Sequence, residues 1–79
     1  MLKLSDMQEK EVINVLNGER LGYIYDFEID LDKGTIVGMI LPSENKVVSF
    51  FSKSTDIFIG WSNIIKIGTD IILVNLQNE

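Results

Sequence analysis

Residues 26–34 read DFEIDLDKG: Asp26, Glu28, Asp30 and Asp32 alternate with other residues, and Gly34 follows. Carboxylates at every second position can present oxygen ligands to calcium. The same spacing also gives a strand its wet face. The two readings separate in detail. An EF-hand loop needs acids at its first, third and fifth positions, then a turn glycine and a distal bidentate Glu. Counted from Glu28, Lys33 stands where that glycine belongs, Gly34 comes one place late, and Met39 stands in place of the Glu. Acids on one face of a strand lie roughly 6.5–7 Å apart. Separate carboxylates at that spacing cannot all reach one ion across bonds of about 2.4 Å. The stretch therefore reads as the solvated face of a strand ending in an Asp-Lys-Gly turn. An acidic patch for a basic partner and an acidic-strand metal site are the alternatives.

Other chemistry has less to work with. The chain has no His and no Cys, which removes the usual general base, the usual zinc ligand and every disulfide. Ser49, Ser52, Ser54 and Ser62 have no histidine to activate them. The Gly18–Gly22 stretch GERLG lacks the Gly-Lys-Ser/Thr ending of a phosphate loop. No pattern suggests a buried acid paired with an ionised one. The expectation is a protein that is not an enzyme, with no catalytic residue, no cofactor and no metal. Twelve acids against seven bases give a net charge of −5, which repels a nucleic-acid duplex. The opening MLKLSDMQEK has no apolar core of a signal peptide. The longest aliphatic run, residues 71–74, is far short of the ~20 residues of a membrane helix. A cytoplasmic protein with no membrane insertion and no direct nucleic-acid contact is expected.

The elements that must position these residues are mostly strands. Ser5 and Gln8 have the spacing of a capping box, which predicts one short N-terminal turn with Leu4 and Met7 inward. Asn17-Gly18 is a hairpin signal. From residue 20 to 31 the chain alternates: Leu21, Tyr23, Tyr25, Phe27, Ile29 and Leu31 share one face, while Gly22, Ile24, Asp26, Glu28 and Asp30 share the other. The first set, tyrosines included, is expected in the core, on a long strand bent as barrel strands are. TIVGMIL returns beside it. Pro42-Ser43-Glu44-Asn45 turns, KVVSFF and DIFIGW follow as strands, and IIKIG with DIILVNL forms a last hairpin across Gly68-Thr69-Asp70. Six or seven short strands with tight turns predict an all-β fold, a small antiparallel barrel in one domain over residues 1–79.

Several runs are apolar on both faces: IVGMIL, VVSFF, IIKI and IILV. A barrel this small has one interior, so the outward members predict a partner surface or self-association as a homo-oligomer.

The order of these pieces resembles a known family. GERLGYIYDFEIDLDKGTIVGMILP is similar to the opening of a PRC-barrel domain: Gly22, then Ile24-Tyr25-Asp26, the acidic strand, Gly34, and the apolar strand 36–41. The ending GWSNIIKIGTDIILVNL is similar to the close of one branch, the YlmC/YmxH family of small sporulation proteins. The resemblance spans residues 3–76. One departure is Gly60, where the family commonly has a proline before the Trp. The resemblance implies a β-barrel from a spore-forming bacterium and a non-catalytic adaptor role. PRC-barrels of the photosynthetic reaction-centre H subunit and of the ribosome maturation factor RimM dock onto larger assemblies. It carries over no functional residues.

The combined reading is a protein-interaction module acting in sporulation, docking onto an unidentified protein partner or onto itself. A RimM-like ribosome- or RNA-processing adaptor is the alternative. Asp26, Glu28 and Asp30 would steer a basic partner. Phe50, Phe51, Phe58 and Trp61 would supply apolar contact, with one of Phe50 and Phe51 in the core.

Overall fold

The computed structural model describes residues 2–42 and 56–76. The expected strand KVVSFF, the SKST connector and the tail QNE lie outside those residues, as do Phe50 and Phe51.

The N-terminal turn α1 (Leu4–Met7) forms, but Ser5 does not cap it. Lys3 is the extended residue before the helix, and the Asp6 carboxylate accepts its N–H at 3.2 Å. The acceptor three residues on is thus Asp6 rather than Gln8. This earlier start points Met7 into the core and leaves Leu4 exposed, against the expectation that both would face inward.

Among the described residues seven strands follow, in two sheets. β1 (Glu11–Asn14), β2 (Glu19–Tyr23), β6 (Ile64–Ile67) and β7 (Ile71–Val74) form the larger sheet, in the order β2-β1-β7-β6. β3 (Asp26–Asp30), β4 (Thr35–Leu41) and β5 (Ile57–Gly60) form the smaller, in that order. A 3-10 turn (Trp61–Asn63) links β5 to β6, where Ser62-Asn63 predicts a turn. The last hairpin pairs as expected. Among the described residues the ladders are antiparallel except β1–β7, which is parallel. Among the described residues no ladder joins the two sheets, so the barrel is not closed there. Alternate residues of both sheets meet between them: Val12, Ile72 and Val74 face Met39, Leu41 and Ile59, with Met7 and Ile24 in the same cluster.

The long alternating run is the main correction. It is two strands in two sheets, and its apolar set does not stay inside. The register between β1 and β2 shifts at Val12/Ile13, so Leu21 is an extra residue, and Gly22 follows at φ 104°. That bulge bends the strand and resets its alternation. The chain then crosses between sheets with Ile24 inward, and Tyr23 and Tyr25 stand 53% and 50% exposed. Ile29 and Leu31 are exposed as well, the latter in the turn after β3.

The same device occurs twice. Asn14 and Asp30, Gly18 and Gly34, Gly22 and Gly38 are counterparts sixteen residues apart. In each hairpin an Asn or Asp ends the first strand, and its side-chain oxygen accepts the N–H two residues on, Leu16 at 3.2 Å and Asp32 at 3.0 Å. Each loop closes with a glycine N–H donating back to that residue's carbonyl at 2.7 Å. Gly18 and Gly34 take φ of 72° and 67°, which a side chain would resist. Each return strand carries its bulge just before a glycine, at Leu21 and at Val37. Asn17 keeps a negative φ, so this is a four-residue loop rather than a two-residue turn.

Candidate functional site

The acids and the aromatic side chain singled out above meet on one surface. In the smaller sheet Asp26 pairs with Ile40, and Ile40 with Phe58; Glu28 pairs with Gly38, and Gly38 with Gly60. Paired residues share a face. Met39, Leu41 and Ile59 fill the other face and are fully buried, so Asp26, Glu28, Ile40 and Phe58 point outward. Asp26 and Glu28 are exposed on the outer strand, and Phe58 is 49% exposed two strands away.

Gly38 makes this face possible. Its missing side chain leaves room for the Phe58 ring: a Cβ there would lie 2.5 Å from Phe58 Cζ and 2.5 Å from the Ile59 carbonyl oxygen. The ring lies across the sheet, with carboxylates beside it. Trp61, 37% exposed, follows in the 3-10 turn. Gly60 before it has φ −65° and ψ 148°, a backbone that proline adopts, so the departure at this position leaves the chain path intact.

Asp30 has a different local task. Its Oδ1 accepts from the N–H groups of Asp32 (3.0 Å) and Lys33 (3.2 Å) and builds the turn. Asp26 Oδ1 accepts from the N–H of Phe27 at 2.8 Å and keeps its other oxygen outward. Among the described residues no three acidic side chains gather in a way that could hold a metal ion.

Two polar pairs escaped the sequence reading. Tyr25, at the start of the smaller sheet, donates its hydroxyl to the Asp56 carboxylate just before β5. That hydrogen bond raises the Tyr25 pKa above the usual 10.0, helped by partial desolvation and by the negative charges of Asp56 and Asp26. Asn14 is the one polar side chain buried in the described core. Its amide donates to the Leu76 carbonyl (3.1 Å) and accepts from the Leu76 N–H (3.1 Å) and the Leu16 N–H (3.2 Å). It acts as a strand partner for the chain after β7. Asn63 adds two more ties there: its side-chain amide donates to the Asn75 carbonyl and its main-chain carbonyl accepts from the Asn75 N–H, both at 2.9 Å. The signal for Asn14 was its place: it has the same parity as Val12, on the inward side of a short strand.

This arrangement offers an outer sheet face with an aromatic ring over a glycine and two exposed carboxylates, which suits contact with a cationic and partly apolar surface.

The chain is similar to proteins of Bacillus subtilis and Clostridium acetobutylicum. It is 46% identical to the "Probable sporulation protein YlmC" of Bacillus subtilis over 77 residues, covering 98% of this chain and 95% of that protein. It is 44% identical to an uncharacterized protein of Clostridium acetobutylicum over 75 residues, covering 95% and 85%. It is 31% identical to the "Uncharacterized protein YmxH" of Bacillus subtilis over 80 residues, covering 99% and 93%. The family model for the PRC-barrel domain matches residues 1–79. With a β-rich fold of two small sheets around one core and these relatives over nearly its whole length, the chain belongs to the PRC-barrel family, alongside YlmC and YmxH.

Proposed function

We propose that this chain is a non-catalytic docking module of sporulating cells, acting in the cytoplasm by holding a protein partner against the outer face of β3-β4-β5. The observation that carries the reading is the juxtaposition of Asp26, Glu28, Ile40 and Phe58 on that face, with the Phe58 ring laid over Gly38. A large aromatic side chain held half-exposed by a glycine beneath it is poor economy for a monomer and a good anchor for an interface. Similarity to a protein named for sporulation supplies the cellular setting. Among the described residues no helix is long and apolar enough to cross a membrane. The net charge of −5 opposes direct contact with nucleic acid, and the exposed Asp26 and Glu28 suit a local cationic patch on a protein partner.

The test is size fractionation of extracts from sporulating cells, comparing the wild-type chain with the triple variant Asp26→Lys, Glu28→Lys, Phe58→Ala. The wild type elutes in a species larger than a free 79-residue chain. The variant, folded and equally abundant, shifts to the free-chain position. Identical elution of the two would refute the assignment of this face.

A further inference from the structure

The larger sheet has an outer face of the opposite character. Val12, Asn14, Ile72 and Val74 point inward, so their neighbours point out. The register places Arg20, Ile13, Leu73 and Lys66 side by side across all four strands. Two half-buried aliphatic side chains are thus flanked by two exposed cations. One rung further along, Tyr23, Glu11 and Ile71 stand together, with Asp70 next in the chain. Arg20 and Lys66 thus share one rung and Glu11 the next, while Lys10 reaches the Thr69 carbonyl beside Asp70. Beside Lys66 the surface sinks into a mostly apolar recess of about 400 Å³, lined by Lys66, Gly68, Thr69, Asp70, Ile71 and Leu73.

We infer that the outer face of β3-β4-β5 on one copy of this chain docks onto the outer face of β2-β1-β7-β6 on a second copy. Phe58 enters the recess beside Lys66, while Asp26 and Glu28 lie toward Arg20 and Lys66. The inference rests on the docking reading above and names the partner as a second copy. The match is one of shape and charge. A half-exposed aromatic ring on the sheet that carries Asp26 and Glu28 meets an apolar hollow with Lys66 in its wall and Arg20 across the sheet on the same rung. Because the two faces differ, the contact is heterologous. Each added copy leaves one face of each kind unpaired, so association does not stop at a dimer unless a ring closes.

Sedimentation velocity of the full chain, over a range of concentration and salt, tests this. The wild type forms species larger than a dimer as concentration rises, and added salt weakens them. Asp26→Lys with Glu28→Lys raises the apparent dissociation constant by about tenfold or more, and so does Arg20→Glu with Lys66→Glu. Mixed in equal amounts, the two variants recover the wild-type association, because each reversed face now meets a complementary one. Phe58→Ala weakens association without changing any charge and serves where a reversal variant loses its thermal transition. A chain that stays monomeric overturns the inference, as does association that survives both reversals, or a mixture that fails to recover. None of these results decides the docking reading itself. That falls if the wild-type chain fractionates from sporulating cells as a free chain, or if the triple variant elutes as the wild type does.

Discussion

Asn14 gives the sharpest test of how the fold is held. The perturbation is Asn14→Ala. The side chain is 2% exposed and makes three hydrogen bonds, two to the backbone of Leu76 and one to the N–H of Leu16. A hydrogen bond contributes about 1 kcal/mol net, and a buried group left without a partner costs more than that. Losing three bonds, two of them on half-buried Leu76, should therefore cost about 2–4 kcal/mol. Small domains have total stabilities of about 0.05–0.15 kcal/mol per residue, so this is a large share. For a domain this size each kcal/mol lowers Tm by about 4–8 °C, and the loss should be visible as a drop of at least about 8 °C. The assay is urea and thermal unfolding followed by the fluorescence of the single tryptophan, Trp61. Asn14→Asp separates the causes. Its carboxylate keeps both acceptor roles but cannot donate to the Leu76 carbonyl when ionised, and burial raises its pKa in the folded state. A raised folded pKa means that stability is greatest in acid and is lost as pH rises through that value. The aspartate variant should therefore be more stable relative to wild type near pH 4 than at pH 7. An alanine variant that melts within a few degrees of wild type would refute the reasoning, as would an aspartate variant with no such pH dependence.

Three further outcomes are expected. Gly38→Ala should cost about 1–3 kcal/mol, because its Cβ meets both the Phe58 ring and the Ile59 carbonyl oxygen. Adding Phe58→Ala should recover only part of that, since the carbonyl contact remains; full recovery in thermal melts would contradict the geometry. Gly34→Ala should cost about 1–2 kcal/mol through the left-handed backbone alone, since nothing lies within 4 Å of the new Cβ, and Gly34→Asn should cost less. In an ultraviolet titration Tyr25 should ionise above the usual 10.0, and Asp56→Asn should bring it down. The stability supplied by that hydrogen bond is present below about pH 10 and lost as pH rises through the raised folded value, so Tyr25→Phe should flatten the alkaline limb of the stability curve.

Most strands were legible because their period is two and their turns carry glycine or proline. TIVGMIL, DIFIGW and the final hairpin all form where the pattern puts them. What misled was continuity. Residues 20–31 alternate without a break in the text, yet the bulge at Leu21 and the positive φ of Gly22 split them between two sheets. A bulge inserts one residue without marking the sequence, so Tyr23 and Tyr25 passed for core. The parallel β1–β7 pairing was equally hidden, because it joins strands at opposite ends of the chain. Asp26, Glu28 and Asp30 do lie on a strand, as their alternation predicts, with Asp26 and Glu28 exposed. Their meeting with Phe58 on one surface depends on the order β3-β4-β5, which periodicity does not encode. The hydrogen bonds of Asn14 to Leu76 cross 62 positions and are equally beyond local pattern.

The most direct measurement of the docking claim is site-resolved photo-cross-linking in sporulating cells. A photoreactive amino acid is placed at Phe58 in one strain and at Leu31 in another. Leu31 is the more exposed, at 87% against 49%, but it stands in the turn rather than on the sheet face. If the outer face of β3-β4-β5 holds a partner, position 58 yields a discrete protein adduct and position 31 does not. Equal labelling at both positions, or none at position 58, would contradict the account.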